Sequence, residues 1–199
     1  MDKSLKTGQD INLENWDPSK FNVLHAGSLL HARNPKALLQ AFRKFVEILP
    51  EEEQDKVCLY FVGSANNHKN ILADFSQKVA QIRFLDKTVS FKNVYSIQHQ
   101  AAVNVILEAR SEISPFLPGK FPHCVAANKP IFSLSPYYSE VKRLLGKDYP
   151  YWCEADDEVE ILKFLKMYAL DKFLIKPFLT AASIVFLILL PTKATFLLF

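Results

Sequence analysis

The chain has 199 residues, enough for one domain, or one and a fraction, whose core needs neither disulfide nor metal. Its 24 Lys+Arg against 21 Asp+Glu leave a formal charge of +3, too small a surplus for a dedicated nucleic-acid binder. Hydrophobic residues at 49% and charged residues at 23% exclude a disordered chain. Cys58, Cys124 and Cys153 are odd in number and widely spaced, with no C-x-x-C pair and no histidine at zinc-ligand spacing. Neither a disulfide framework nor a metal centre is therefore expected. Residues 1–5 carry no apolar run, so no signal peptide is read there and a reducing cytoplasm is the expected compartment.

In chain order, residues 1–20 are polar and read as a lead-in or severed linker. Residues 21–26 are a short apolar run ending at Gly27 and Ser28, which predicts a buried strand and a turn. Asn34 before Pro35 signals a helix start, since Asn caps and Pro needs no N–H in the first turn. Leu38, Leu39, Phe42, Phe45, Val46 and Leu49 follow at helical spacing, with Lys36, Gln40, Arg43, Lys44 and Glu47 on the other face. A second strand is predicted at 57–63, closing on Gly63 and Ser64, and a second helix through Ile71, Leu72, Phe75 and Val79. A third strand is expected at 89–92, then a short helix capped by Ser96. A fourth strand follows at 103–107. Pro118, Gly119 and Lys120 open a helix running to about 127, followed by a fifth strand at 130–134. A helix around Val141, Leu144 and Leu145, a sixth strand at 149–153 and a charged helix from 156 to about 170 complete the pattern.

Apolar strands alternating with helices predict an α/β domain over 21–170, a doubly wound, Rossmann-like parallel sheet of about six strands. In such sheets ligands sit beyond the C-terminal strand ends where the strand order reverses, so loops 27–34, 63–69, 108–120 and 134–139 are the ones to watch. Residues 171–199 break the pattern and read as an irregular hydrophobic tail. The 16 residues between Lys176 and Lys193 carry no charge and include two Pro. That is short of the ~20 a spanning helix needs, but apolar enough to suggest aggregation or contact with a membrane surface.

Several motifs together resemble the C-terminal, donor-binding half of a group 1 (family 4-like) glycosyltransferase of the two-Rossmann-domain, GT-B kind. HAGSL at 25–29 with RNP at 33–35 looks like the opening strand, glycine turn and first helix of that half. LYFVG at 59–63 looks like its second strand and turn. SPFLPGKF at 114–121, followed by AANKPI at 126–131, looks like its donor-site helix and the strand entry after it. The resemblance covers about 21–165. It implies a retaining transferase that moves a sugar from a nucleotide diphosphate sugar to a glycan or lipid-linked acceptor, with no metal and no cofactor beyond that donor. It also implies a partner, the N-terminal half, that the chain lacks.

On that resemblance Arg33 and Lys120 hold and neutralise the diphosphate, and Gly27, Ser28, Gly63, Ser64, Pro118, Gly119 and His123 line the donor site. A diphosphate needs cations and backbone N–H groups, which this set would supply. The plainer alternatives are a solvated loop arginine at 33 and an exposed first-turn lysine at 120. The sequence departs from the family at four places. Ser28 stands where an Arg is common, Asn128 where a Gly is usual, and Pro115 and His123 where the two spaced glutamates stand. A His does not reproduce a carboxylate's two acceptors. His25 reads as a core histidine or a site residue, and Glu108 and Glu112 as surface carboxylates or substrate contacts. No G-x-S-x-G elbow and no G-x-G-x-x-G after the first strand supports a hydrolase or dehydrogenase. The rival readings are half of a nucleotide-sugar epimerase and a non-catalytic binding module.

Overall fold

The computed structural model describes residues 16–174. Six parallel strands form one sheet: β1 Phe21–Ala26, β2 Val57–Val62, β3 Ile82–Leu85, β4 Val103–Leu107, β6 Ile131–Leu134 and β8 Trp152–Cys153. Their spatial order is β3-β2-β1-β4-β6-β8, so the order reverses between β1 and β4. Two further strands, β5 Ile113–Ser114 and β7 Tyr138–Ser139, pair with each other alone. This small pairing was not foreseen, because two residues show no periodicity.

Every residue of β1, β2, β4 and β6 is buried, which is why these segments read as mainly apolar runs despite Asn22, His25, Asn104 and Ser133. Helix α1, Lys36–Ile48, turns Leu38, Leu39, Phe42 and Phe45 into the larger core cluster. It packs against α7, Glu158–Leu174. Asn34 does the capping: its Oδ1 accepts from the Lys36 N–H at 3.0 Å. On the opposite face Leu24, Ala26, Tyr60 and Val62 meet Ile97 and Ala101. The sheet is thus covered on both sides, as expected. Among the described residues no helix is long and apolar enough to cross a membrane. The expected tail, beyond the end of α7, lies outside the described residues. Cys58, Cys124 and Cys153 are all buried with free thiols.

Two expectations fail in one region. The third strand is 82–85, not 89–92, and Ser90 rather than Ser96 caps the next helix, α4 Phe91–Gln100, accepting from the Asn93 N–H. The strand β3 lies at the sheet edge with only Ile82 buried, and its Arg83 reaches the Tyr60 hydroxyl at 3.1 Å. An edge strand of that kind has no continuous apolar signature to read. The helix α5 is also shorter than expected, Phe121–Ala126, with Lys120 at its cap position. Helices α3 Lys69–Lys78 and α6 Glu140–Leu145 fall close to the expected places, whereas the small α2 Glu51–Gln54 after Pro50 has no counterpart in the sequence reading.

Strands β1 and β2 run in register, Ala26 opposite Val62, so the chain leaves both at one level. Gly27 at φ +125° and Gly63 at φ +131° make the two exits. A Cβ on Gly63 would lie 2.7 Å from the carbonyl carbon and oxygen of Gly27. These are backbone atoms with no easy retreat. Gly63→Ala should therefore lower stability by about 2–4 kcal/mol through clash and backbone strain. Urea denaturation measures it, and a loss below about 1 kcal/mol, no more than an ordinary glycine effect, would show that the contact yields.

Candidate functional site

A cavity of about 390 Å³ opens above the two glycine turns. Gly27, Ser28, Gly63, Ser64, Gly119, Lys120 and His123 line it, seven of the nine residues singled out from the sequence. Pro118 stands behind the wall, its carbonyl accepting from the Phe121 N–H at 2.8 Å. Arg33 is not part of this lining, but its charge is felt by His25, Lys120 and Glu108 together, so it stands beside the same cluster. It is half-buried rather than a freely solvated loop residue. Glu112 is exposed.

Lys120 departs most from its plain reading. Its amine is buried and has no hydrogen-bond partner among the described residues. Burial drags its pKa down to about 7, helped by the Arg33 charge and opposed by Cys124 and Glu108. His25 is fully buried, and neither ring nitrogen has a partner among the described residues. Desolvation, with the Lys120 and Arg33 charges added, holds it neutral, its pKa well below the ordinary histidine value. It is neither a satisfied core histidine nor a solvent-facing ligand.

The backbone donors come from the turns rather than from a helix start. At α5 the Phe121 N–H goes to Pro118 O, Pro122 has none, and those of His123 and Cys124 both go to Lys120 O. The expected supply of amides from that helix is thus already used. The N–H groups of Ser28, Ser64, Gly119 and Lys120 have no acceptor among the described residues and lie along the cavity. The Ser64 hydroxyl reaches Asn66 Oδ1 at 3.3 Å.

The far wall was missed in the sequence, because it is built by the loop after β3 and by α4, in the misplaced region. Thr88, Val89, Phe91, Val94 and Gln98 line it. The Phe91 ring stands edge-on to His123, centroids 4.8 Å apart, and Tyr95 meets His123 at 6.3 Å. Gln98 is buried, its amide donating to Cys124 Sγ at 3.4 Å while its carbonyl oxygen is unpartnered among the described residues. The cavity therefore has a cationic, amide-rich floor and an apolar, aromatic wall. Such a surface accepts an anion joined to a flat ring.

No family model matches the sequence, and no curated protein matches it either. Solved structures do. The N-terminal domain of trehalose-6-phosphate phosphatase from Candida albicans aligns at TM-score 0.63 and 16% identity, over 84% of this chain and 36% of that one. HepE of Anabaena, in complex with UDP-glucose, aligns at TM-score 0.61 and 13% identity, over 85% of this chain and 43% of that one. The catalytic domain of cholesterol-α-glucosyltransferase from Helicobacter pylori aligns at TM-score 0.54 and 14% identity, over 77% of this chain and 88% of that one. The chain shares its fold with a domain of each of these structures. The chain spans less than half the length of the first two of these proteins.

The electrostatics make a prediction. With Lys120 at about 7 when folded and near ~10.4 when unfolded, the unfolded chain carries a proton that the folded chain lacks between those values. Stability should therefore rise with pH above 7. Burial raises the thiols of Cys58, Cys124 and Cys153, which pulls stability down once unfolded thiols ionise near ~8.5. The test window is thus pH 7 to about 8.5. Denaturation midpoints should rise there for the native chain and less, or not at all, for Lys120→Met. Equal slopes would place the lysine amine in water.

Proposed function

We propose that the cavity binds the nucleoside diphosphate of a nucleotide sugar, and that the chain is the donor-binding domain of a retaining glycosyltransferase acting on a glycan or lipid-linked acceptor. The observation that carries this reading is the buried Lys120 amine, unpartnered among the described residues, in a cavity at the strand-order reversal. Four amides that have no acceptor among the described residues lie beside it, and Arg33 is near enough for its charge to act on it. An anion with several oxygens uses both kinds of donor at once. The base or ribose then lies against Phe91, Val94 and His123, where the wall is apolar. That HepE, with the same fold, is seen with UDP-glucose supports the choice of ligand.

In this reading Arg33 and Lys120 act on the leaving group. As the bond between sugar and phosphate breaks, negative charge gathers on the diphosphate, and fixed cations in a dry site stabilise it with little reorganisation. Lys120 reaches full effect only when protonated, and an arriving diphosphate favours that form. Pro115 and His123 leave two family carboxylate positions empty of charge, so the ribose contact differs in kind: His123 offers one ring nitrogen as donor or acceptor. Peripheral contact with a membrane through residues 171–199 belongs to the same proposal and rests on the uncharged run at 178–190.

Calorimetry with uridine, guanosine and adenosine diphosphates tests the ligand. At least one should bind, and Arg33→Ala should weaken it by about 1.5–3 kcal/mol, the worth of a charge-assisted hydrogen bond. No binding of any of them to the folded protein would remove the proposal.

Transfer is a separate matter. A single half holds the diphosphate and can contact the sugar from one side only, leaving the reacting face to water, and positioning dominates this kind of reaction. The 199-residue chain alone should release no nucleoside diphosphate from nucleotide sugars when lipid-linked and free glycan acceptors are present. Steady release by the purified chain, abolished by Arg33→Ala, would show that one half suffices.

A further inference from the structure

A second cavity, of about 290 Å³, lies on the β4 side of the loop that carries Arg33. Ala32, Asn34, Gln40, Glu108, Arg110 and Asp156 are among its lining residues. The two cavities flank the reversal point, one reached from β1 and β2 and the other from β4 and β8. Their linings share no residue.

Glu108 is the unusual member. It follows the last residue of β4, its N–H is tied to Leu134 O at 2.9 Å, and it is only 3% exposed. One carboxylate oxygen takes the hydroxyl of Ser114, which the β5–β7 pairing holds in place. The other oxygen has no partner among the described residues. Lys120 and Arg33 stand close enough for their charges to act on it, yet neither lies within 4.0 Å as an ion-pair partner in the described structure. A carboxylate whose task was to neutralise those cations would touch one of them. This one is pinned by Ser114 and leaves an acceptor open.

What fills that acceptor must be a donor. Phosphate oxygens are excluded by charge, since they accept only and would be repelled. The formal charges around the cavity balance: Arg110 pairs with Asp156 at 2.9 Å, Glu158 with Lys44 at 2.6 Å, and Lys36, a further lining cation with no ion pair among the described residues, offsets Glu108 itself. The cavity thus offers hydrogen bonds without a strong field for an ion. A neutral ring bearing hydroxyls fits that description.

We infer that Glu108 is a specificity-determining residue for the sugar: its open carboxylate oxygen accepts a hydrogen bond from a hydroxyl of the donor sugar, whose diphosphate lies at Arg33 and Lys120. The inference rests on the nucleotide-sugar reading above. Charge then sets the direction of the ligand, with phosphates toward the cations and the sugar toward the carboxylate. Burial raises the Glu108 carboxyl, while Ser114, Arg33 and Lys120 draw it back toward ionisation.

The test uses the full chain and compares each nucleoside diphosphate with its own sugar conjugate: UDP with UDP-glucose, GDP with GDP-mannose, ADP with ADP-glucose. The readout is the ratio of the two dissociation constants in the native protein, in Glu108→Gln and in Glu108→Ala. For the pair that binds, the ratio should move against the sugar conjugate by about tenfold in Glu108→Ala, the loss of one hydrogen bond to a charged group, and in the same direction in Glu108→Gln. Circular dichroism confirms folding, and where Glu108→Ala does not fold the isosteric Glu108→Gln decides. A substitution that changes both constants by the same factor overturns the inference and leaves the diphosphate reading intact. Failure of the folded native chain to bind any member of the panel removes both.

Discussion

Everything at this site depends on two chain exits that touch without side chains. The in-register pairing of β1 and β2 forces Gly27 and Gly63 to the same level, and the Gly27 N–H closes onto Val62 O at 2.7 Å. Any larger residue at 63 would meet backbone, so the loops after both strands are folded down side by side. That contact makes the floor of the larger cavity, leaves the Ser28 and Ser64 amides free, and brings the stem of Lys120 over Gly27, where a Cβ would lie 3.9 Å from Lys120 Cδ. A parallel sheet with its order reversed at β1 and β4 provides the opening, but the paired glycines decide its depth.

The parts of this arrangement that were legible in sequence share one property: a strong local signal. Strands β1, β2, β4 and β6 are buried on both faces, so their sequences are mainly apolar, without a polar alternation. The helix after Pro35 shows a full amphipathic stripe, and Gly27 and Gly63 mark turns that only their residue type allows. The β3–α4 region failed because its signals are weak or shared. Ile82, Arg83, Phe84 and Leu85 form an edge strand in which three of four residues are partly exposed, while Val89 and Phe91 look strand-like and in fact flank a helix cap. With that region misplaced, the aromatic wall of the cavity could not be assembled in advance. The burial of Lys120 and Glu108 was illegible for a different reason. Both were noticed as residue types, but burial is a property of what surrounds a side chain, and nothing in the motif PGK or in the sequence around 108 encodes it.

The unpartnered polar atoms carry an energetic consequence that unites these observations. His25 Nδ1 and Nε2, Lys120 Nζ, Glu108 Oε1 and Gln98 Oε1 are all buried without partners among the described residues. Each such group left unmade costs about 1–3 kcal/mol, and more when charged. Five of them amount to a large share of the ~5–15 kcal/mol by which a domain is stable. The sheet can hold them because its core is heavily apolar, with Phe21, Phe42, Phe45, Phe132 and Tyr151 fully enclosed and braced by α1 and α7. While Asn22 Oδ1 and Asn104 Oδ1, at the starts of β1 and β4, are unpartnered among the described residues as well, these five lie around the site end of the sheet. A ligand that satisfies them recovers free energy that folding left unclaimed, and it does so without reorganising the backbone. The molecule is thus least stable where it is most prepared to bind, and the charges of opposite sign on the two sides of Arg33 give that preparedness a direction.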